Sequence, residues 1–248
     1  MSKLVVITGG GRGIGAATAT TMASQGWDVA IGYSKDSESA SGVADRCRSF
    51  GQRAVSLQVD VTEDEEVGAF FSRVDESLGT LTALVNCAGI VDQKSRVDEY
   101  PPGRVERMFA VNAVGPFLCA REAVRRMSTL HGGVGGSIVN VSSAASRLGS
   151  AGEYVDYAAS KGAIDTMTLG LAREVAGESV RVNAVRPGIV DTTIHASGGQ
   201  PDRVARLAGA IPMGRAGKTS EIAYAIAWLC SDEASYVTGA LLDVSGGR

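Results

Sequence analysis

Short apolar runs rich in β-branched residues alternate with longer amphipathic stretches from one end of the chain to the other. The runs are LVVIT (4–8), DVAIGY (28–33), RAVSLQV (53–59), TALVN (82–86), GSIVNVS (136–142), VRVNAV (180–185) and ALLDV (240–244). Most are nearly continuous rather than alternating, the pattern of strands buried on both faces of a parallel sheet. Helix-length segments separate them. One, 62–78, opens with Thr62 and has Glu65 three residues on, the spacing of a capping box. Strands and helices in this alternation predict right-handed βαβ units and a doubly wound α/β sheet of seven mostly parallel strands with helices on both faces. No linker, composition shift or repeat divides the 248 residues, so one domain spanning 1–248 is expected.

Composition narrows the function classes. Aromatic residues make up 5% and apolar residues 44%, so Val, Ile, Leu and Ala must build the core. Glycine is abundant at 32 residues, against an average near 7%, which predicts tight turns and close backbone contacts. The net charge of −3 and the lack of a basic run argue against nucleic acid. Cys47, Cys87, Cys119 and Cys230 are widely spaced, and His131 and His195 are the two histidines, so no metal site is expected. The start, MSKLVVITGG, lacks a basic, long-apolar leader, and no apolar run reaches the ~18 residues of a membrane span. A soluble, cytoplasmic protein is expected.

The first strand runs into T-G-G-G-R-G-I-G (8–15). Gly9, Gly13 and Gly15 at a strand-to-helix turn let the backbone approach a pyrophosphate and present helix N-terminal amides to it. The end of the second strand selects the dinucleotide. A carboxylate there would bind the ribose 2′-hydroxyl of NAD, but Tyr33 and Ser34 stand in its place. Arg12 in the turn and Lys35 past the strand suit a 2′-phosphate, so NADP(H) is favoured, with NAD(H) as the other reading. Asp60, after the third strand, is positioned for the adenine amine.

These residues belong to a longer series. TGGGRGIG, NCAG (86–89), Asn112 in VNAVGPF, NVSS (140–143), YAASK (157–161) and RPG (186–188) occur in this order. Over its whole length the chain resembles the short-chain dehydrogenase/reductase family, which has a Rossmann-type fold. ASRLGSAGEYVDYAASKGAIDT and SYVTGALLDVSGG look like its bacterial branch of 3-oxoacyl-acyl-carrier-protein reductases and glucose-1-dehydrogenase-like enzymes. Cys87 departs from the pattern, which usually has Asn there; a packing adjustment is expected.

The resemblance implies a catalytic set of Asn112, Ser143, Tyr157 and Lys161. Strand alternation turns Ser142 and Ser143 to opposite faces, and the family pattern favours Ser143. On a helix, Tyr157 and Lys161 lie about 6 Å apart in rise on one face, whereas Tyr154 is about 10.5 Å from the lysine. Geometry and pattern therefore agree on Tyr157. A phenol titrates near ~10, and the Lys161 ammonium with the oxidised nicotinamide is expected to stabilise its phenolate. Tyr157 would give a proton to the substrate oxygen, Ser143 would hydrogen-bond that oxygen, and Lys161 would also reach the nicotinamide ribose. Asn112 would hold a water that links Lys161 to solvent. Ile14, Val61, Asn86, Ala88 and Gly89 complete the implied cofactor set, with Pro187, Gly188, Ile189 and Thr192 facing the nicotinamide amide.

Substrate identity resides in 144–154 and in a glycine-rich flap, 191–214; Ala144, Tyr154 and His195 are the candidate contacts. Three readings follow. The chain is an NADP(H)-dependent oxidoreductase of a carbonyl or secondary alcohol. Alternatively, it is a 3-oxoacyl-acyl-carrier-protein reductase that receives an acidic carrier protein on Arg125, Arg126 and Arg173. More remotely, it is a non-catalytic nucleotide sensor, against which the tyrosine–lysine pair speaks. The resemblance also implies a homotetramer.

Overall fold

The computed structural model describes residues 3–194 and 198–248. Seven parallel strands, β1 (Lys3–Thr8), β2 (Trp27–Tyr33), β3 (Ala54–Gln58), β4 (Ala83–Asn86), β5 (Gly136–Val141), β6 (Val180–Pro187) and β7 (Leu241–Val244), form one sheet. Its order is β3-β2-β1-β4-β5-β6-β7, so the chain reverses direction of travel across the sheet beside β1. That reversal opens a crevice beyond the strand ends of β1 and β4, where doubly wound sheets bind ligands.

The apolar runs are nearly continuous because the inner strands feed two cores, one on each face of the sheet. Val5 and Ile7 face one, with Ala40, Val43, Ile222 and Ile226 from α2 (Ser37–Ser49) and α9 (Thr219–Cys230). Leu4 and Val6 face the other, against Phe70 and Phe71 of α3 (Asp64–Leu78), Ala123 of α5 (Gly115–Met127) and Ile164 of α7 (Val155–Val175). Phe70 and Phe71 are fully buried edge to face, 5.4 Å between ring centres, each contributing about 1.5–3 kcal/mol by burial. A polar substitution in β1 would therefore damage a core whichever way it pointed.

The capping box expected at Thr62 does not form. The Thr62 hydroxyl and amide both donate to the Asp60 carboxylate, at 2.8 and 3.0 Å, making a local turn. The helix instead starts at Asp64, with no side-chain cap. Asp64, Glu65 and Glu66 in its first turn still complement the positive end of the helix.

Between α4 (Arg104–Phe109) and α5 lies a single π turn, Ala110–Val114, which carries Asn112. Nothing in the sequence pattern announces it. The long helix α7 follows a four-residue helix, α6 (Ala145–Leu148), and carries Tyr157 and Lys161 on consecutive turns. No described helix is long and apolar enough to cross a membrane.

Candidate active site

A cleft of about 1110 Å³ runs along the carboxyl edge of the sheet. One end is built largely from backbone. Gly9 and Gly13 have φ of +65° and +53°, a region that L side chains rarely enter. A Cβ on Gly15 would lie 2.4 Å from the Gly9 carbonyl oxygen, so this glycine brings α1 (Gly13–Ser24) tight against the strand. The Thr8 hydroxyl accepts from the amides of Cys87 and Ala88, both at 3.1 Å, and ties the end of β1 to that of β4.

Arg12, Ile14, Tyr33, Ser34, Lys35, Asp60 and Val61 line this end. Asp36 lines it too, a residue that the strand-end pattern does not single out. Its carboxylate accepts from the Ser39 amide at 3.0 Å as the cap of α2, a bond that holds its pKa below the usual range, with the charge of Arg12 adding a smaller pull. A carboxylate thus stands near the two cations, already engaged in capping.

At the opposite wall, Ser143, Tyr157 and Lys161 come together, with Ala144, Pro187, Gly188, Ile189 and Thr192 around them. The two serines separate as alternation requires. Ser142 is buried and bonds to the Lys161 carbonyl and the Asp165 carboxylate, at 3.1 and 2.7 Å. Ser143 turns into the cleft on the same wall as Tyr157, its hydroxyl accepting from the Ala145 amide at 3.1 Å.

The electrostatics differ from the expectation. Burial raises the Tyr157 phenol, and the neighbouring Ser143 hydroxyl and the charge of Arg203 pull it down less strongly. Burial also brings Lys161 down to about 8, against smaller opposing influences from Cys87 and Asp165. Removed from water, each group favours its neutral form. Lys161 Nζ lies 5.7 Å from the Tyr157 ring centre and donates to the Val141 carbonyl at 2.8 Å. The lysine is thereby held by backbone, without a direct carboxylate partner.

Asn112, Asn86 and Gly15 stand behind the cleft wall rather than on it. Asn112 grips Ile90, accepting from its amide at 2.8 Å and donating to its carbonyl at 2.9 Å, and reaches Ser160 at 3.2 Å. A Cβ on Gly89, which does line the cleft, would meet Asn112 Oδ1 at 3.4 Å and Lys161 Nζ at 3.6 Å. The side-chain-free Gly89 leaves open the gap between those two groups. Asn86 donates to Asn140 at 2.9 Å and to the Pro116 carbonyl at 3.3 Å, stitching β4 to β5. Cys87, where a packing adjustment is expected, packs against one core and also lines the cleft. Burial pushes its thiol up to about 11.

Long side chains close the far end. Tyr154 lines the cleft, but its hydroxyl is bound to the Gln200 amide and the ring is buried. Gln200 in turn accepts from Arg206. His195 lies outside the described residues. Beneath them Arg104, 2% exposed, donates to Asp156 from Nε and Nη2 at 2.7 and 3.1 Å, and to the Gln93 carbonyl at 2.8 Å. The Tyr100 hydroxyl adds a bond to Asp156 at 3.0 Å. Burial would raise the Asp156 carboxyl, but the bonds from Arg104, the Tyr157 amide and Tyr100 outweigh it and keep the acid low. This buried pair anchors the turn of α7 that bears Tyr157.

The cleft fits a nicotinamide dinucleotide. Thr192 Oγ1 is buried without a hydrogen-bond partner among the described residues, an arrangement that costs about 1–3 kcal/mol if left unsatisfied. Thr192 lines the cleft beside the glycine turn, where a Cβ on Gly13 would be 3.7 Å from its Cβ and its methyl, so a polar ligand in the cleft would meet an unengaged hydroxyl. Among the described residues no cluster of His, Cys, Asp and Glu could hold a metal ion.

Residues 9–248 match the family model described as enoyl-(acyl carrier protein) reductase. The chain is 51% identical over 245 residues to the uncharacterized oxidoreductase YgfF of Escherichia coli (strain K12), covering 99% of both. It is 39% identical to the cis-4-hydroxycyclohexanecarboxylate dehydrogenase of Sinomonas cyclohexanicum, over 99% of this chain and 96% of that one. Among solved structures, the acetoin dehydrogenase YohF from Salmonella typhimurium superposes with a TM-score of 0.87 at 33% identity, over 100% of this chain and 97% of that one. A mutant short-chain dehydrogenase/reductase from Serratia marcescens gives 0.90 at 33% identity, over 99% of this chain and 97% of that one. With fold, site and sequence in agreement over nearly the whole length, the chain belongs to the short-chain dehydrogenase/reductase family, NAD(P)-dependent oxidoreductases acting on alcohol and carbonyl groups.

Proposed function

We propose that the protein is an NADP(H)-dependent oxidoreductase that interconverts a carbonyl compound and its secondary alcohol. The carrying observation is the gathering of Ser143, Tyr157 and Lys161 on one wall of a cleft whose other end is the glycine turn. The cofactor supplies or accepts the hydride. In reduction, Tyr157 protonates the substrate oxygen and Ser143 hydrogen-bonds it, stabilising the charge that develops there. Lys161, held at the Val141 carbonyl, is close enough to the phenol to favour phenolate once a positive nicotinamide adds its charge. Asn112 keeps Ile90 and the gap at Gly89 in position, so that a proton can return through Lys161.

Arg12 and Lys35 favour the 2′-phosphate of NADP(H), and Asp36 counts against it less for being bound up as a helix cap. The carrier-protein reading is weakened. Arg125 pairs with Glu122 at 2.9 Å, and Arg126 with Asp75 and Glu122, both at 2.7 Å. Two of the three arginines expected to receive an acidic partner therefore already have one. A homotetramer is supported by exposed apolar side chains that share a helix face, Val114 with Phe117 at the start of α5 and Tyr224 with Trp228 on α9. All four cysteines are free thiols, as suits the cytoplasm.

Paired titration with NADPH and NADH, followed by a carbonyl and alcohol panel that includes a 3-oxoacyl thioester, tests the reading. Tighter NADPH binding with turnover of simple carbonyls supports it. Tighter NADH binding would overturn the cofactor assignment, and preferential thioester reduction would restore the carrier-protein reading.

A further inference from the structure

At the far end of the cleft, the flap residue Arg203 of α8 (Arg203–Leu207) lines the same cavity as Ser143 and Tyr157. It is 8% exposed. Its guanidinium stacks 5.0 Å from the centre of the Tyr154 ring. Nη1 approaches Glu153 to 2.6 Å, near enough to pair charges but not aligned for a hydrogen bond, and so remains buried without one. A guanidinium has five donors arranged as a fork, and burying it with those donors incompletely satisfied is costly. Lysines and arginines on a surface meet water, whereas this one meets a ligand cavity.

The surrounding charges do not cancel. Glu153 is shared by Arg203 at 2.6 Å and by Lys94 and Arg206, each at 3.9 Å, giving three cations to one carboxylate. Arg107, which also lines the cleft, is neutralised separately by Asp92. Arg203 and Tyr157 line the same cavity, and Arg203 packs on Tyr154, three residues before Tyr157. Glu153 and Tyr154 directly precede α7, and Gln200 bonds Tyr154, so the flap brings Arg203 to the catalytic helix in a fixed orientation.

We propose that Arg203 is a specificity-determining residue and that the substrate is a hydroxy acid or oxo acid whose carboxylate takes the fork of this guanidinium while its hydroxyl or carbonyl meets Tyr157 and Ser143. The inference rests on the oxidoreductase reading above and narrows its substrate class. A carboxylate matches the planar fork with two parallel bonds and draws on the uncompensated charge around Glu153. Glu153 competes for the same cation, so removing its charge strengthens the selection.

The test is steady-state kinetics on the full chain with NADPH and NADH. The substrates are oxo acids with one to five carbons between ketone and carboxylate, each beside its primary amide. At the best chain length, kcat/KM for the acid is expected to exceed that for the amide by at least about 10-fold, mostly through KM. Arg203→Met brings the ratio towards one, Arg203→Lys keeps part of it, and Glu153→Gln, folded by circular dichroism, raises it. Amides reduced as well as acids at every length, or a ratio unmoved by Glu153→Gln and Arg203→Met alike, overturn the carboxylate assignment and leave the oxidoreductase intact. Failure of every acid and amide with both cofactors overturns the carboxylate assignment, whereas the oxidoreductase reading falls only if the wider carbonyl and alcohol panel fails as well.

Discussion

The two ends of the cleft are made differently. At the cofactor end the contacts are between backbones, and what matters is which side chains are missing: a Cβ on Gly9 would lie 2.8 Å from Ala88, and one on Gly15 would lie 2.4 Å from a carbonyl. At the substrate end, long side chains from distant segments meet in ion pairs, Arg104 with Asp156 and Arg203 with Glu153. A surface formed by backbone accepts any ligand that offers the same phosphates, whereas a surface formed by side chains can be rewritten one residue at a time. The cleft thus joins a general half to a particular half, with Tyr157 at the seam.

Tyr157→Phe gives the largest effect. Turnover is expected to fall by roughly 10²–10⁴ while NADPH affinity by calorimetry stays within about 2-fold. A joint collapse of both would show that the halves cannot be separated. Next, Arg104→Met leaves Asp156 buried and uncompensated, and urea denaturation should register a loss of about 3–5 kcal/mol. A loss below about 1 kcal/mol would mean that the turn bearing Tyr157 is fixed by other contacts.

The third probe is Lys161. Its pKa is lowered from 10.5 to about 8 in the fold, so the unfolded chain binds more protons between those values and stability rises with pH across that window. Charging the buried amine costs about 3 kcal/mol below pH 8, and this is relieved as pH approaches 10.5. The stability of Lys161→Met relative to the native chain should therefore be most favourable below pH 8 and decline by about that amount towards pH 10.5; a flat difference would contradict the burial. The smallest expected effect is at the general half. Arg12→Ala should weaken NADPH by about 10-fold, worth near 1.4 kcal/mol, and NADH by less than about 2-fold, and equal weakening of both would detach Arg12 from the 2′-phosphate.

The same contrast explains what could be read from the residues. All seven strands were legible, because the inner strands are buried on both faces and even the half-buried edge strands β3 and β7 keep short β-branched or leucine-rich runs, and their ends agree to within two residues. The glycine turn was legible because few residues other than glycine accept its dihedral angles. Thr62 misled because a hydroxyl has more than one nearby acceptor, and Asp60 outcompeted the helix end. Asp36 escaped notice because it lies three residues beyond the strand end, at a position where a helix cap is the ordinary role of an aspartate. The side-chain half was opaque for another reason: Arg104 lies 52 positions before its partner Asp156, and Arg203 lies 50 after Glu153. No local pattern encodes such meetings.

The π turn at Ala110–Val114 has a consequence for helix phase. It holds about one residue more than an α-helical stretch would, so everything after it is turned by about 100° relative to a straight continuation. Asn112 can then point at Ile90 while Cys119, Ala120 and Ala123 of the following helix still face the core. The extra residue works as a phase shifter that sets the two faces of one rod independently. Removing a single residue there would mend the ladder of i to i−4 bonds and yet rotate the rod out of register, exchanging buried Ala123 for a polar neighbour or swinging Asn112 away from Ile90.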